Sequence, residues 1–131
     1  MIFLDTSAIY AWADIGDANH QSAIRRLQAI LESGEEQLTH NYVLVESIAL
    51  LQARLGLVAA AMLAKDSTAF VIEWVDADLH ASGIEDLKRS KKRRVSLVDH
   101  ISFLVMRRHN LGTAFAFDPD FTSAGFRLFK E

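Results

Sequence analysis

Four acidic residues stand where a carboxylate needs an explanation: Asp5, Glu46, Asp99 and Asp118. Asp5 and Asp118 each follow a short apolar run typical of a buried strand. Glu46 lies in a helical pattern with almost wholly apolar neighbours three and four positions away, and Asp99 lies in another, with Val95, Ser96, Ser102 and Phe103 around it. Burial of an unpaired carboxylate is costly, and one divalent cation would compensate several of them together. Because carboxylate oxygens suit Mg²⁺ or Mn²⁺, the pattern indicates an acidic metal site.

Each of these acids also has a purely structural explanation. Ser96 precedes Asp99 by three residues, the spacing of a helix capping box, and Asp5 could equally cap a helix. Asp118 could open a turn at the following proline, and Glu46 could form a salt bridge with a distant arginine. For any one acid the structural explanation is the commoner one, so the metal hypothesis depends on the four occurring together.

The elements that would position these acids alternate between strand and helix. The predicted strands are Ile2–Leu4, Gln37–His40, Val71–Val75, Thr113–Phe117 and Phe126–Phe129. Helices are predicted directly after Asp5, over 17–33, from an Asn41 cap to Leu55, from Leu57 to about Phe70, over 76–89 and over 96–110. This alternation predicts an α/β fold, with a mostly parallel sheet of four to five strands covered on both faces.

Parallel sheets of this class bind ligands beyond the carboxyl ends of their strands. Asp5 ends the first predicted strand and Asp118 ends the fourth. If those two strands are neighbours, both carboxylates point into one crevice.

The composition of the chain predicts a single domain and excludes several kinds of active site. The chain has 131 residues, half of them apolar, so we expect a single domain over 1–131 with a substantial core. It has no cysteine, which excludes a thiolate nucleophile and a cysteine-ligated zinc site, and its five histidines form no ligand-spaced pair. No apolar run is long enough to cross a bilayer, and the start lacks a signal-like segment, so we expect a soluble, cytoplasmic protein.

Four segments together resemble the acidic segments of PIN domains, and the first is most similar to VapC-type toxins of toxin–antitoxin pairs. The segments are IFLDTSAIYAWAD, NYVLVESIALL, SLVDHISFLV and TAFAFDPDF, and they span nearly the whole chain. The resemblance implies a three-layer α/β/α sandwich and a metal-dependent endoribonuclease. It assigns Asp5, Glu46, Asp99 and Asp118 as the catalytic acids that hold Mg²⁺ or Mn²⁺, and it assigns Thr6 or Ser7 to the hydroxyl position after the first acid.

The last acidic segment departs from the family pattern. The family usually has a hydroxyl residue shortly before its final aspartate and a basic or polar residue two positions after it, whereas this chain has Phe117-Asp118-Pro119-Asp120. Asp120 could therefore share or replace the role of Asp118. We prefer Asp118, because it keeps the family's D-x-x-F spacing with Phe121.

The charge distribution adds a possible RNA contact. The net charge is −3, yet residues 88–108 hold eight bases and one acid. Four of these bases directly precede the helix that carries Asp99: Lys91, Lys92, Arg93 and Arg94. They could hold an RNA backbone near the site, or they could be a solvated helix end whose cations complement the helix dipole. Arg107 and Arg108 could extend this patch or simply face water.

The resemblance also implies partners and competing functions. A VapC-type toxin would use water as nucleophile on an RNA substrate and would be blocked by a small antitoxin protein; we also expect a homodimer. The alternative is a PIN-like module that binds RNA or a protein without cutting. A phosphoacceptor receiver domain fits poorly, because it would want an acidic pair after the first strand and an aspartate at the end of a middle strand. Here Thr6 and Ser7 follow Asp5, and Val71–Val75 leads into Asp76 without the expected acidic pair. Trp12 and Trp74 are expected in the core or at subunit contacts.

Overall fold

The computed structural model describes all of residues 1–131. Its five strands are β1 (Ile2–Leu4), β2 (Gln37–His40), β3 (Val71–Glu73), β4 (Thr113–Phe115) and β5 (Arg127–Leu128). Its seven helices are α1 (Thr6–Ala13), α2 (His20–Ser33), α3 (Asn41–Leu55), α4 (Leu57–Asp66), α5 (Ala77–Arg89), α6 (Leu97–Arg108) and α7 (Asp120–Ser123), with a short 3₁₀ turn over Ser67–Ala69. Each predicted strand and each predicted helix is therefore present.

The five strands form one sheet in the order β3-β2-β1-β4-β5, and every neighbouring pair is parallel. All three residues of β1, at the centre, are buried, as a strand covered by helices on both faces requires. The expected α/β/α sandwich is confirmed, and the sheet is wholly parallel. β1 pairs directly with β4, so the two strands that end at Asp5 and before Asp118 are neighbours, as a shared crevice requires.

Several element ends differ from the sequence-based prediction. β4 stops at Phe115 rather than Phe117, because β1 beside it ends at Leu4 and the chain turns at once into α1. The amide of Phe117 instead donates to the Ser7 hydroxyl at 2.9 Å. β3 and β5 are likewise shorter than predicted, and α2 begins at His20 rather than at residue 17.

The predicted cap of α3 was wrong by one residue. His40, not Asn41, is the N-cap, and its ring nitrogen Nδ1 accepts the amide hydrogen of Val43 at 3.3 Å. Asn41 is the first helical residue, and its side-chain oxygen accepts from the backbone of Val75 at 2.6 Å. An imidazole can cap a helix here because its ring reaches the same first-turn amide that a shorter polar side chain would satisfy.

Close packing of α5 on α6 places the helix that carries Asp99. Gly83 of α5 is buried, and a Cβ atom at this position would collide with the side chain of Ile101 on α6. The missing side chain lets the two helices approach, and in the connection between them Arg94 lies 3.4 Å from Asp120. None of the helices combines the length and apolar character needed to span a membrane.

Candidate active site

Asp5 is almost completely buried at the point where β1 passes into α1. It is the N-cap of α1 and is only 4% exposed. Its Oδ2 accepts hydrogen bonds from the backbone nitrogen of Ser7 at 3.0 Å and from the Ser7 hydroxyl at 2.5 Å. Burial raises the pKa of Asp5 to about 7, although the Ser7 hydrogen bonds oppose it, and the nearby charges of Asp99 and Asp118 raise it further.

Ser7 connects Asp5 to the segment that follows β4. Its hydroxyl donates to Asp5 and accepts from the amide of Phe117, one residue before Asp118. Thr6 is also buried, and its hydroxyl oxygen accepts from Ser47 at 3.3 Å. Both predicted hydroxyl residues are thus engaged with protein atoms, and a direct contact of either with RNA stays a prediction.

Asp99 occupies the first turn of α6 in the predicted capping box. The Ser96 hydroxyl accepts from the amide of Asp99 at 3.1 Å, and Oδ2 of Asp99 accepts from the amide of Ser96 at 3.0 Å. Burial raises the pKa of Asp99, the Ser96 amide opposes this rise, and the neighbouring charges of Asp118 and Glu46 add to it. Capping accounts for the position of Asp99, but the capping hydrogen bonds do not offset the cost of its charge.

Asp99, Asp118 and Asp120 form an acidic cluster, in which each residue has a carboxylate oxygen within 4.8 Å of those of the other two. Asp120 begins α7 and is 5% exposed, and its amide donates to Oδ1 of Asp118 at 2.9 Å. Burial raises the pKa of Asp118, and the charge of Asp120 raises it further. The structure therefore brings together both of the aspartates that compete for the last site position.

The donor set of the acidic cluster fits a divalent cation. Its groups are all carboxylates, and burial together with mutual repulsion raises the pKa of both Asp99 and Asp118. Bringing like charges together in this way is unfavourable unless a cation balances them. Oxygen donors of this type are those that Mg²⁺ and Mn²⁺ favour.

Glu46 lies on a different face of α3 from the one that the sequence suggested. It is exposed, because α3 buries Val43, Leu44, Ser47 and Leu51 instead. The expected desolvation of Glu46 was therefore wrong. Its carboxylate is still close enough for its charge to act on Asp99, and its role as a metal ligand stays a prediction.

The basic run before α6 lies beside the acidic cluster. Lys91, Lys92, Arg93 and Arg94 are all exposed. Arg94 is the one that reaches the cluster, with Nη2 3.4 Å from Oδ1 of Asp120. Lys92, Arg93 and Arg94 also line a surface cleft together with Asp120. The other three bases form no ion pair and are free to meet a phosphate backbone.

Sequence reasoning missed a buried contact that joins two acid-bearing helices. His40, at the start of α3, is completely buried, and its Nε2 lies 2.8 Å from the hydroxyl of Ser102 on α6. Burial lowers the pKa of His40 to about 3, so the ring is neutral at physiological pH. The only sequence signal for Ser102 is a small polar residue inside the apolar face of α6.

Comparison with known proteins supplies the family. The family model of the PIN domain matches residues 2–127. This chain belongs to the PIN-domain family. Two curated relatives are similar to this PIN domain, and each is the 23S rRNA-specific endonuclease VapC20 from a strain of Mycobacterium tuberculosis. Each is 43% identical over 129 residues, and the match covers 96% of this chain and 95% of the relative. The predicted resemblance is confirmed.

Solved structures agree with this assignment. The crystal structure of Mycobacterium tuberculosis VapC20, a sarcin–ricin loop cleaving toxin, superimposes on this PIN domain with a TM-score of 0.89 and 40% identity, and the match covers all of both chains. FitAcB from Neisseria gonorrhoeae matches with a TM-score of 0.68 at 20% identity, over 99% of this chain and 97% of that one. The second likeness concerns the fold alone.

Proposed function

We propose that this PIN domain is an endoribonuclease that hydrolyses RNA phosphodiester bonds, and that it is the toxin of a toxin–antitoxin pair. The acidic cluster at the carboxyl edge of the sheet supports the chemistry. The 43% identity to a 23S rRNA-specific endonuclease supports the substrate class. By the same likeness we propose the sarcin–ricin loop of 23S rRNA as the substrate and the cytoplasm as the place of action.

The acidic cluster and the nearby carboxylates of Asp5 and Glu46 would together hold Mg²⁺ or Mn²⁺. We assign as ligands Asp5, Glu46, Asp99 and Asp118, with Asp120 sharing the role of Asp118. A divalent cation there would make water more acidic and balance the charge that develops on the scissile phosphate. A metal-free PIN-like binding module would have no need of three clustered carboxylates, two of them with raised pKa values.

The protein's own groups would orient the reaction and move its protons. Asp5 is placed to help take up the proton of the attacking water, because its carboxylate is buried beside the charges of Asp99 and Asp118. Ser7 would position this carboxylate through its two hydrogen bonds to Asp5. The exposed bases from Lys91 to Arg94 would hold the RNA backbone beside the cluster.

Protein partners follow from the proposed toxin identity. We propose a small antitoxin that blocks activity, and a homodimer as the assembled form. Several large apolar side chains are exposed and available for such contacts, among them Val58 and Met62 on α4 and the indole of Trp74, which is 69% exposed. Trp74 is therefore not a core residue, whereas its predicted place at a subunit contact stays a prediction.

A cleavage assay tests the nuclease proposal. Purified protein is incubated with a hairpin RNA of the sarcin–ricin loop sequence in Mg²⁺, in Mn²⁺ or in EDTA, beside a hairpin of equal length with a scrambled loop. We expect metal-dependent cutting of the first hairpin, with an Asp99→Asn variant inactive. Equal cutting of both hairpins would contradict the proposed substrate, and an uncut wild-type reaction would contradict the nuclease itself.

A growth assay tests the toxin proposal separately. Expression of the wild-type chain should slow growth, whereas the Asp99→Asn variant should not. A small reading frame beside the gene, expressed together with the wild-type chain, should restore growth. Normal growth despite active enzyme in the cell would contradict the toxin assignment without affecting the nuclease assignment.

A further inference from the structure

A second cleft lies beside the acidic cluster and shares Asp120 with it. The cleft is lined by the end of α5, the connection that follows it, one side of α6, and α7. Among the residues that line it are His100, which follows Asp99 in the sequence, and Arg107 near the end of α6. This cleft therefore continues from the proposed cutting site along the protein surface.

The side-chain charges that line this cleft favour the binding of an anion. Both acids that line it already have an arginine partner: Asp86 with Arg89 at 2.5 Å, and Asp120 with Arg94 at 3.4 Å. Lys92 and Arg107 also line the cleft, and neither forms an ion pair. Arg107 is held in place by its packing over the ring of Phe126, at 5.5 Å from the ring centre. Two uncompensated positive charges thus face the same space.

His100 offers a hydrogen-bonding group that the protein does not use. Its Nε2 is the one buried side-chain nitrogen or oxygen in the molecule without a hydrogen-bond partner. A buried polar atom left unpaired is unfavourable, and nearly all such atoms in folded proteins have a partner. The imidazole lines the cleft, but Nε2 itself is closed to solvent, so the ring must turn toward the cleft for an oxygen of a bound ligand to complete its hydrogen bonding.

We propose that this cleft binds an RNA backbone phosphate next to the one that is cut, through His100, Lys92 and Arg107. This inference rests on the proposed nuclease function and adds a binding site to it. A phosphate offers several acceptor oxygens and a negative charge, which match one unpaired ring nitrogen and two free cations. The acidic cluster itself repels RNA, so nearby cations must supply the attraction for the strand that enters it.

The neighbouring arginines of α6 give a matched pair of variants. Arg107 lines the cleft, whereas Arg108 lies outside it and donates to Oε2 of Glu73 at 2.8 Å. Binding of the sarcin–ricin hairpin is measured by fluorescence anisotropy in EDTA, which prevents metal-dependent cutting, over a series of salt concentrations. We expect Arg107→Gln to weaken binding about tenfold and to lower the slope of log K against log salt by about one. Arg108→Gln should leave the RNA affinity and the salt slope nearly unchanged.

A His100→Phe variant separates a binding role from a structural one. Phenylalanine keeps a ring of similar shape and removes the unpaired nitrogen, so the melting temperature should stay the same or rise. RNA affinity should nevertheless fall several-fold. If His100 served the fold alone, the melting temperature would fall and RNA affinity per folded molecule would not change, which would overturn its assignment.

The outcomes distinguish this inference from the function on which it rests. If wild-type protein binds and cuts the hairpin while Arg107→Gln and His100→Phe bind as tightly as wild type with the same salt slope, the phosphate site is wrong and the nuclease stands. If wild-type protein does not bind the hairpin at all, the proposed function fails with it. Weaker binding by both cleft variants, with normal binding by Arg108→Gln, supports the site.

Discussion

His40 and Ser102 join the two helices that carry Glu46 and Asp99: Nε2 of the imidazole lies 2.8 Å from the serine hydroxyl in the buried core. Because Nδ1 of His40 accepts the amide hydrogen of Val43, the Nε2–H must donate to Ser102. Ser102 in turn donates to the carbonyl of Val98 at 2.9 Å. The direction of each hydrogen bond in this chain is thus defined, and the contact sets the relative position of α3 and α6.

A Ser102→Ala variant should therefore destabilise the protein. It leaves the Nε2–H of His40 buried without an acceptor, which typically costs about 1–3 kcal/mol. Ser82→Ala on α5 is a matched control, because Ser82 is exposed, and such a change is usually within about 0.5 kcal/mol. Urea denaturation measures both. Equal stability of the two variants would show that the buried hydrogen bond contributes nothing.

Asp5 should make stability fall as pH rises. Its folded pKa of about 7 lies above its usual value of 3.8, so its contribution is fully present below pH 3.8 and is lost as pH rises through 7. Asp5→Asn removes this buried charge and should stabilise the protein in EDTA at pH 8 by a few kcal/mol, on the order given by the size of the shift, with little gain at pH 4. The same variant should lose nuclease activity.

Thermal melts at the two pH values measure this effect, with Asp66→Asn at an exposed position of α4 as the control. His40 acts in the opposite direction, because its pKa of about 3 lies below the usual 6.5 and its contribution is lost as pH falls below 6.5. His40 contributes equally to the stability of wild type and of Asp5→Asn, so its contribution cancels when the two melting temperatures are compared at the same pH. An equal gain at pH 4 and pH 8 would contradict a buried, titrating Asp5.

Local sequence patterns predicted the strands and their acidic ends, because a buried parallel strand leaves a short apolar run and its carboxyl end faces the ligand side of the sheet. The exposure of Glu46 could not be predicted in this way: α3 is apolar on more than one face, so periodicity does not say which face is buried. The contact between His40 and Ser102 spans 62 residues, and no local pattern connects them. The burial of Asp120 likewise depends on how α7 packs beside α6.

Asp99 has a capping role and a proposed metal role, which two substitutions should separate. Asn at position 99 can still accept from the amide of Ser96, so Asp99→Asn should keep the fold and lose Mn²⁺ binding and cutting. Asp99→Ala should lose the same functions and be about 1 kcal/mol less stable than Asp99→Asn, because its half of the capping box disappears. Urea denaturation and Mn²⁺ titration calorimetry measure the two effects. Wild-type affinity for Mn²⁺ in Asp99→Asn would exclude Asp99 as a ligand.

Arg94 should compete with a metal ion for the acidic cluster. Its guanidinium forms the one ion pair that reaches the cluster, at 3.4 Å from Asp120. Burial raises the pKa of Asp118, and the charge of Arg94 opposes that rise. A fixed positive charge at this place repels an entering cation, by about 1 kcal/mol for an exposed side chain. Arg94→Gln should therefore bind Mn²⁺ several-fold more tightly than wild type.

Arg93→Gln is the matched control for Arg94→Gln. Arg93 has the same charge and is also exposed, but it makes no contact with an acid of the cluster, so its loss should leave Mn²⁺ affinity nearly unchanged. Calorimetry at low and high salt measures both variants, and the gain in Arg94→Gln should shrink at high salt because exposed charges are screened. Equal Mn²⁺ affinities in the two variants would mean that Arg94 does not oppose the metal. A gain confined to Arg94→Gln would instead mean that the Arg94 guanidinium opposes the metal through its position beside Asp120.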